Sequence, residues 1–360
     1  VRIHLVFKQA GRYSDRSMNM RAVMQALAAA ALFGIATPFS KSLLADLQAN
    51  QLAGLLYLGA GACMLPWVLG RRRSGSVIFP RDGRNRLLLL GSVFFGGIAG
   101  PVLLLVGLKV AQAASVSMWL NLEAVATAVL ALLFFREHMG RWTWIANAGV
   151  VVSGVLLSYD AGWAGWLGLL FVAGASVAWG LDNNFTALID GISPEDSTFW
   201  KGLIAGSCNL AIGLALFPWP IGWDWLWALV LGMAAYGLSV ALYIRSAHGI
   251  GAARAQMLFA ASPFFGVLLS VLWLHETLTL LQATAALVLA GSIILLFRDR
   301  HAHAHEHVRA THEHEHRHDD GHHGHAHIPP TEGKHSHVHS HEPMVHRHPH
   351  WPDLHHRHSH

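Results

Sequence analysis

Charge is what this sequence has least of. Asp, Glu, Lys and Arg make up 13% of its 360 residues, against 53% hydrophobic. Soluble domains carry about 25% charged residues, so the two soluble domains that this length would allow are excluded. Cysteine is almost missing. Cys63 and Cys208 are the only two, too few for a disulfide framework, and both lie in apolar runs, where they read as reduced packing residues. Nucleophile elbows, phosphate loops and zinc-protease helices are also absent, so no enzyme is expected. Basic stripes are lacking despite a pI of about 9.3. The arginines sit in short loops between apolar runs, a pattern of membrane orientation and not of nucleic-acid binding.

Long apolar runs are abundant. A bilayer-crossing helix needs about 20 predominantly apolar residues. Runs bounded by charge, Gly or Pro give ten candidates: Ala22–Leu44, Gln51–Gly70, Leu87–Leu108, Ala113–Phe135, Trp142–Leu157, Ala164–Leu188, Phe199–Phe217, Trp225–Ile244, Ala252–Leu274 and Thr279–Phe297. The fifth is the shortest. Residues 1–21 are basic and non-periodic and read as a disordered cytoplasmic leader, with no cleavable signal after it. Arg71, Arg72, Arg73, Arg81, Arg84, Arg86, Arg136, Arg141, Arg245 and Arg254 fall on one side of a ten-span topology, with Lys41 and Lys109 alone on the other. Short-loop Lys/Arg bias predicts that both termini are cytoplasmic. Trp219, Trp223, Trp225 and Trp227 read as part of an interfacial aromatic belt.

The chain also repeats itself. VSMWLNLEAVATAVLALLFFREHM, Val116 to Met139, aligns without a gap on AQMLFAASPFFGVLLSVLWLHETL, Ala255 to Leu278, so that Met118 meets Met257 and Glu137 meets Glu276. FGIATPFSKSLL from Phe33 meets WGLDNNFTALID from Trp179, pairing Gly34 with Gly180 and Phe39 with Phe185. Five spans per half force the halves into opposite orientation. That is the inverted-repeat plan of many secondary transporters, with the substrate site between the halves near mid-membrane. The fold class expected is an all-α polytopic membrane protein of ten helices in two inverted five-helix repeats, 22–158 and 159–297.

Ten spans, two halves and a Glu closing the fourth span of each half (FFREHMGRWTW, WLHETLTLLQA) resemble the EamA group of the drug/metabolite transporter superfamily, over about Ala22 to Phe297. The resemblance implies a multi-pass carrier of a bacterial-type inner membrane, driven by an ion or substrate gradient and exporting a small metabolite or amino-acid-like solute. No cofactor is required, and a homodimer is one assembly to consider. Two departures make a substrate borrowed from relatives unsafe. Glu123–Ala124 stands where the repeat mate has Ser262–Pro263, and LDNN stands where the mate has IATP.

Polar groups inside spans are the candidate substrate or ion pathway, because a charge at mid-membrane costs about 2.5–3.5 kcal/mol on insertion scales. Glu123 lies near mid-depth of the fourth span. It could exchange a proton and a cationic substrate, or bridge two helices structurally. Asn121, two positions earlier, points to another side of the helix. Asp182, Asn183 and Asn184 fan out at about 100° per residue, to line a cavity or to bond neighbouring helices. Lys201 reads first as snorkelling to the interface, with neutralisation of Asp182 or Glu123 as the alternative. Snorkelling is also the first reading of Lys41. Asn147, Asn209 and Gln256 read as uncharged packing contacts, and Glu137 and Glu276 as helix-end anchors. Pro38, Pro101 and Pro263 interrupt spans as hinges or tolerated kinks.

After residue 300 the apolar runs stop. Of 27 histidines, 23 lie in 301–360. The region 298–360 has too few apolar residues for a core and is predicted to be a disordered cytoplasmic tail. Imidazole suits Zn, Cu and Ni. His301, His303, His305, His307, His312, His314, His316, His318, His335, His337, His339 and His341 are therefore the candidate metal ligands. The tail could feed metal to a divalent-metal efflux carrier, sense metal, or buffer it. Nothing in it names what the spans move.

Overall fold

The computed structural model describes residues 20–73, 75, 77–135, 140–189, 192–219, 222–250, 252–296, 301–307, 310–316, 335–341 and 344–350. The leader, apart from its last two residues, Glu137 and His318 lie outside the described residues. Two compact units result, one ending at Arg298 and one formed by residues 299–353.

The first unit is all-helical. Its elements are α1 (Met20–Gly34), α2 (Ala36–Leu43), α3 (Ala49–Arg73), α4 (Gly83–Ser92), a π-helical segment (Val93–Ala99), α5 (Gly100–Val110), α6 (Ala113–Trp119), α7 (Leu122–Phe135), α8 (Arg141–Asp160), α9 (Gly162–Thr186), α10 (Pro194–Leu216), α11 (Asp224–Gly232), a second π-helical segment (Met233–Leu238), α12 (Ser239–Ile250), α13 (Ala252–Phe259), α14 (Ser262–Trp273) and α15 (Leu280–Leu296). Joined end to end where they are continuous, eight helices are long and apolar enough to cross a membrane. Two shorter apolar helices, Ser262–Trp273 and Leu280–Leu295, follow them. Leu170, Leu280, Leu287 and Trp163 are among the many large apolar side chains left exposed, as expected of a surface that meets lipid.

Local chemistry explains the segmentation. Pro38 has no N–H for the carbonyl four residues back, and α1 gives way to α2 at Ile35. Pro263 stands in the first turn of α14, where a missing N–H costs little, whereas Pro101 directly follows the first π-helical segment inside the continuous Gly83–Val110 helix, where its missing N–H leaves a carbonyl of that segment without a ladder partner. Pro66 lies inside α3, a fourth span proline beyond the three singled out from sequence. The third span begins with α4 at Gly83, a turn before the apolar run that starts at Leu87: Asp82 caps α4, its carboxylate accepting from the Asn85 backbone N–H at 2.9 Å and side chain at 2.8 Å. These bonds hold the exposed Asp82 carboxyl below the usual carboxylate range.

Glycine sets the closest helix pair. α3 and α10 run together along a seam where a Cβ on Gly202 would stand 2.7 Å from the Gly61 nitrogen, and one on Gly206 2.7 Å from the Leu58 nitrogen. Small residues let membrane helices approach backbone to backbone. Cys63 is half-buried, but Cys208 is exposed on α10. Its apolar surroundings in sequence are a lipid-facing strip, which corrects its reading as a packing residue.

The second unit holds four extended segments: β1 (His301–His307), β2 (Ala310–His316), β3 (His335–His341) and β4 (Met344–His350). β1 pairs antiparallel with β4, and β2 with β3. The sequence gives no apolar reason for regular structure there. The alternation of His with small or charged residues does, however, match the two-residue period of a strand.

Candidate functional site

The polar centre is built around α9. Asp182 is buried, at 6% exposure. Both its carboxylate oxygens accept from the Lys201 ammonium of α10 at 2.6 Å. Ser92 of α4 donates to it at 2.5 Å and Thr186 at 3.0 Å. Lys201 therefore does not snorkel. Its charge is spent on Asp182, the alternative considered for it. The facing helix must carry glycine here, since a Cβ on Gly96 would collide with the Asp182 carboxylate.

Gly96 belongs to the first π-helical segment. A π turn widens the helix and frees carbonyls from the usual ladder, and side chains from three other helices take them up. Tyr57 and Trp179 donate to the Gly96 carbonyl at 2.6 and 2.9 Å, and Asn209 to the Gly97 carbonyl at 2.9 Å. Asn209 is a buried uncharged packing contact, as its sequence position indicates. Tyr57, Trp179, Ser92, Thr127 and Thr186 were not legible as site residues. Each sits in an apolar run as an ordinary span residue, and only the FFGG motif of residues 94–97 marks a point of close helix approach.

One step along α9 the environment changes. Asn183 is exposed, and its amide donates to Glu123 at 2.9 Å and to Thr127 at 3.1 Å. Glu123 lies in the first turn of α7, directly after the break at Leu120–Asn121, and is half-buried. Among the described residues it has no cation in ion-pair contact. A chain of rings continues from it. Tyr57, Tyr236, Asp182 and Lys201 all lie within electrostatic reach of Glu123. Tyr236 stacks with Tyr57 at 5.9 Å and with Phe33 at 5.8 Å, Phe33 with Phe259 at 5.3 Å, and Phe259 with Tyr243 at 5.3 Å. Gln256 accepts from the Tyr243 hydroxyl at 2.7 Å. Asn184 turns inward, to the Gly180 carbonyl at 2.7 Å and the Thr127 carbonyl at 3.3 Å, and is a helix-bonding residue. Asn121 bonds the Met118 carbonyl at 3.3 Å and so closes the helix break. Of the six polar residues proposed from sequence, Asp182 bonds Lys201 and Asn183 bonds Glu123, two pairs carried by adjacent residues of α9.

The two ends of the helical unit differ. Towards the Ala49 end of α3, α6 packs on α14 and both meet α2. A Cβ on Gly34 would collide with Ser262 and Phe265, and one on Gly266 with Ser117 at 2.5 Å and the Gly34 carbonyl at 2.9 Å. Lys41 donates to the carbonyls of Leu108, Lys109 and Ala111 at 2.6, 3.2 and 3.0 Å. It closes that end instead of snorkelling. Towards the Arg73 end the partners separate: α7 packs chiefly on α9, and α13 on α12 and α1. Glu123 lies where α6–α14 packing gives way to this divergence. Among the described residues there is no group of three or more His, Cys, Asp or Glu able to hold a metal ion. The histidine side chains of the tail are outside that description.

Two stretches of the chain, residues 20–159 and 166–298, match the EamA-like transporter family. An uncharacterized transporter of Methanothermobacter thermautotrophicus is 23% identical over 300 residues, covering 75% of this chain and 84% of its own. An uncharacterized transporter of Synechocystis is 26% identical over 301 residues, covering 75% and 87%. A crystal structure with 18% sequence identity superposes with a TM-score of 0.58, covering 76% of this chain and 95% of that one, which supports the fold alone.

Proposed function

Because the chain belongs to the EamA-like transporter family, we propose that it is a ten-span secondary carrier of two inverted five-helix halves, exporting a small metabolite or amino-acid-like solute that bears a protonated amine. One observation carries the substrate class. Asp182 is neutralised by Lys201, while Glu123, beside a chain of aromatic rings, has no cationic partner among the described residues. A carboxylate within reach of aromatic rings is chemistry that recognises an organic cation, each ring that meets the cation contributing about 0.5–2 kcal/mol. Asn183 and Thr127 add neutral hydrogen-bonding capacity for a second polar group of the solute.

Several features support the inverted repeat. The family matches twice along the chain. Helix breaks recur at Leu120–Asn121 and Ala260–Ala261, and π-helical segments at Val93–Ala99 and Met233–Leu238. Gly34 packs on α14, and its repeat mate Gly180 packs on α7, so each half reaches across to the other in the same way. The Arg73 end is read as cytoplasmic from the arginine bias, and the divergence of α7 and α13 there as the loading side of an exporter. Protein reconstituted in liposomes is expected to exchange a radiolabelled amine for protons, and Glu123→Gln to lower that flux at least about 100-fold. Amine flux that survives the substitution removes the proposal.

The tail supports a separate proposal, that it binds a divalent transition metal. The strand register sets His301 opposite His350, His303 opposite His348 and His305 opposite His346, and likewise His312, His314 and His316 opposite His339, His337 and His335. Directly opposed residues share one face of an antiparallel pair. Equilibrium dialysis against Ni²⁺ and Zn²⁺ should give several bound ions for the full chain and none for a chain ending at Arg300. Equal binding refutes the assignment. Divalent-metal efflux by the spans requires cellular Ni, Co or Zn content to fall when the full-length protein is restored to a null strain.

A further inference from the structure

Between α5 and α6 the backbone breaks at Ala111–Gln112, and both exposed helix ends are covered by charged side chains from elsewhere. Lys41 covers the carbonyls that end α5. Glu276, from the loop after α14, covers the start of α6: its two carboxylate oxygens accept from the Ala113 and Ala114 backbone N–H groups at 2.8 and 2.9 Å. A cation at a helix C-terminus and an anion at an N-terminus are the favourable placements. Lys41 and Glu276 also lie within electrostatic reach of each other. The pairing is between halves, since Glu276 follows the ninth apolar run and Ala113 opens the fourth.

The loop is shaped to deliver this carboxylate. His275, immediately before it, is the one non-glycine residue with positive φ, at 55°, among the described residues. Such a conformation is unfavourable for an ordinary residue and persists only where surroundings impose it. The Glu276 backbone N–H is in turn held by the Ser270 carbonyl at 3.2 Å. Further bonds join the halves at this end. Gln282 donates to Gln112 at 2.7 Å, and Trp273 to Ser42 at 3.3 Å. None of these groups touches the polar centre around Asp182 and Glu123.

We propose that Glu276 is a latch: its bonds to Ala113 and Ala114 hold the Ala49 end closed, and they must break for the carrier to open there. The inference rests on the alternating-access reading above. When the bonds break, α14 leaves α6, the strained backbone at His275 relaxes, and the start of α6 is left to water. Glu276 is thus a positioning residue that sets which way the pathway faces and does not contact the solute.

The test uses full-length protein in nanodiscs, with Cys63 and Cys208 replaced by Ala. Single cysteines are introduced by Ser115→Cys, near the latch and buried at 1% exposure, or by Thr127→Cys, beside Glu123. Rates of alkylation by a charged maleimide are compared with Glu276 intact, Glu276→Gln and Glu276→Ala. Glu276→Ala is expected to speed labelling at position 115 by about tenfold or more and to slow it at position 127, with Glu276→Gln in between because it keeps one acceptor oxygen. An unchanged rate at position 115 overturns the latch. So does a rise at both positions, which marks a loosened fold. Amine flux in liposomes is measured in parallel on protein that keeps Thr127 and Ser115, with Glu276 intact and with Glu276→Ala. A reciprocal shift without flux sinks the amine carrier and leaves the latch, and flux without the shift does the reverse.

Discussion

Asp182 and Lys201 illustrate how little a single residue says by itself. Each is an ionised group in an apolar run, and each is affordable only because the other is there. Breaking a buried pair from one side leaves an uncompensated charge and costs about 3–5 kcal/mol, whereas removing both charges is often nearly neutral. Asp182→Asn and Lys201→Met are therefore each expected to lower the thermal unfolding midpoint in detergent, and the double substitution to recover most of the loss. Equal loss in all three proteins contradicts the pairing. Asp182 was legible as a candidate because charge in a span stands out against its neighbours. Its partner was legible only as one of two readings, because Lys201 lies near a helix start, where snorkelling explains a lysine equally well. Tyr57 and Trp179 left no trace in sequence: aromatic residues are ordinary in spans, and only the freed Gly96 carbonyl gives their polar atoms a purpose.

Helices present the opposite balance. Eight of the ten apolar runs coincide with helices long and apolar enough to cross a membrane, the fifth extending to Arg141–Asp160, while the last two runs hold shorter apolar helices. What could not be read is which helix touches which, and where the regular ladder fails. A span surrounded by apolar partners shows no periodicity, so the extra residue of a π turn is invisible in it. The α3–α10 seam is similar: glycine is common in spans, and only the partner backbone distinguishes a contact glycine from a spacer. Gly202→Val is expected to overpack that seam and cost about 1–3 kcal/mol, read as a lower unfolding midpoint. Gly70, with nothing within 4 Å of its added Cβ, should accept alanine without loss. A reversed order of the two variants contradicts the seam.

For the molecule as a whole, the internal ion pair has an electrical consequence. On the proposed carrier reading, Asp182 and Lys201 cancel each other and an ionised Glu123 would carry the net charge of the polar centre. Bound to a monovalent amine or to a proton, that centre is neutral and can be occluded cheaply. Empty, it would have to cross the dehydrated intermediate as a bare anion, at about 2.5–3.5 kcal/mol on insertion scales. On that reading, reorientation without cargo would be suppressed and transport would be one-for-one exchange of cations. A membrane voltage, worth about 2.3 kcal/mol per charge per 100 mV, would then find nothing to act on. Amine flux clamped at different potentials should keep one rate while following the proton gradient, and a current accompanying transport would show that another charge travels with the solute.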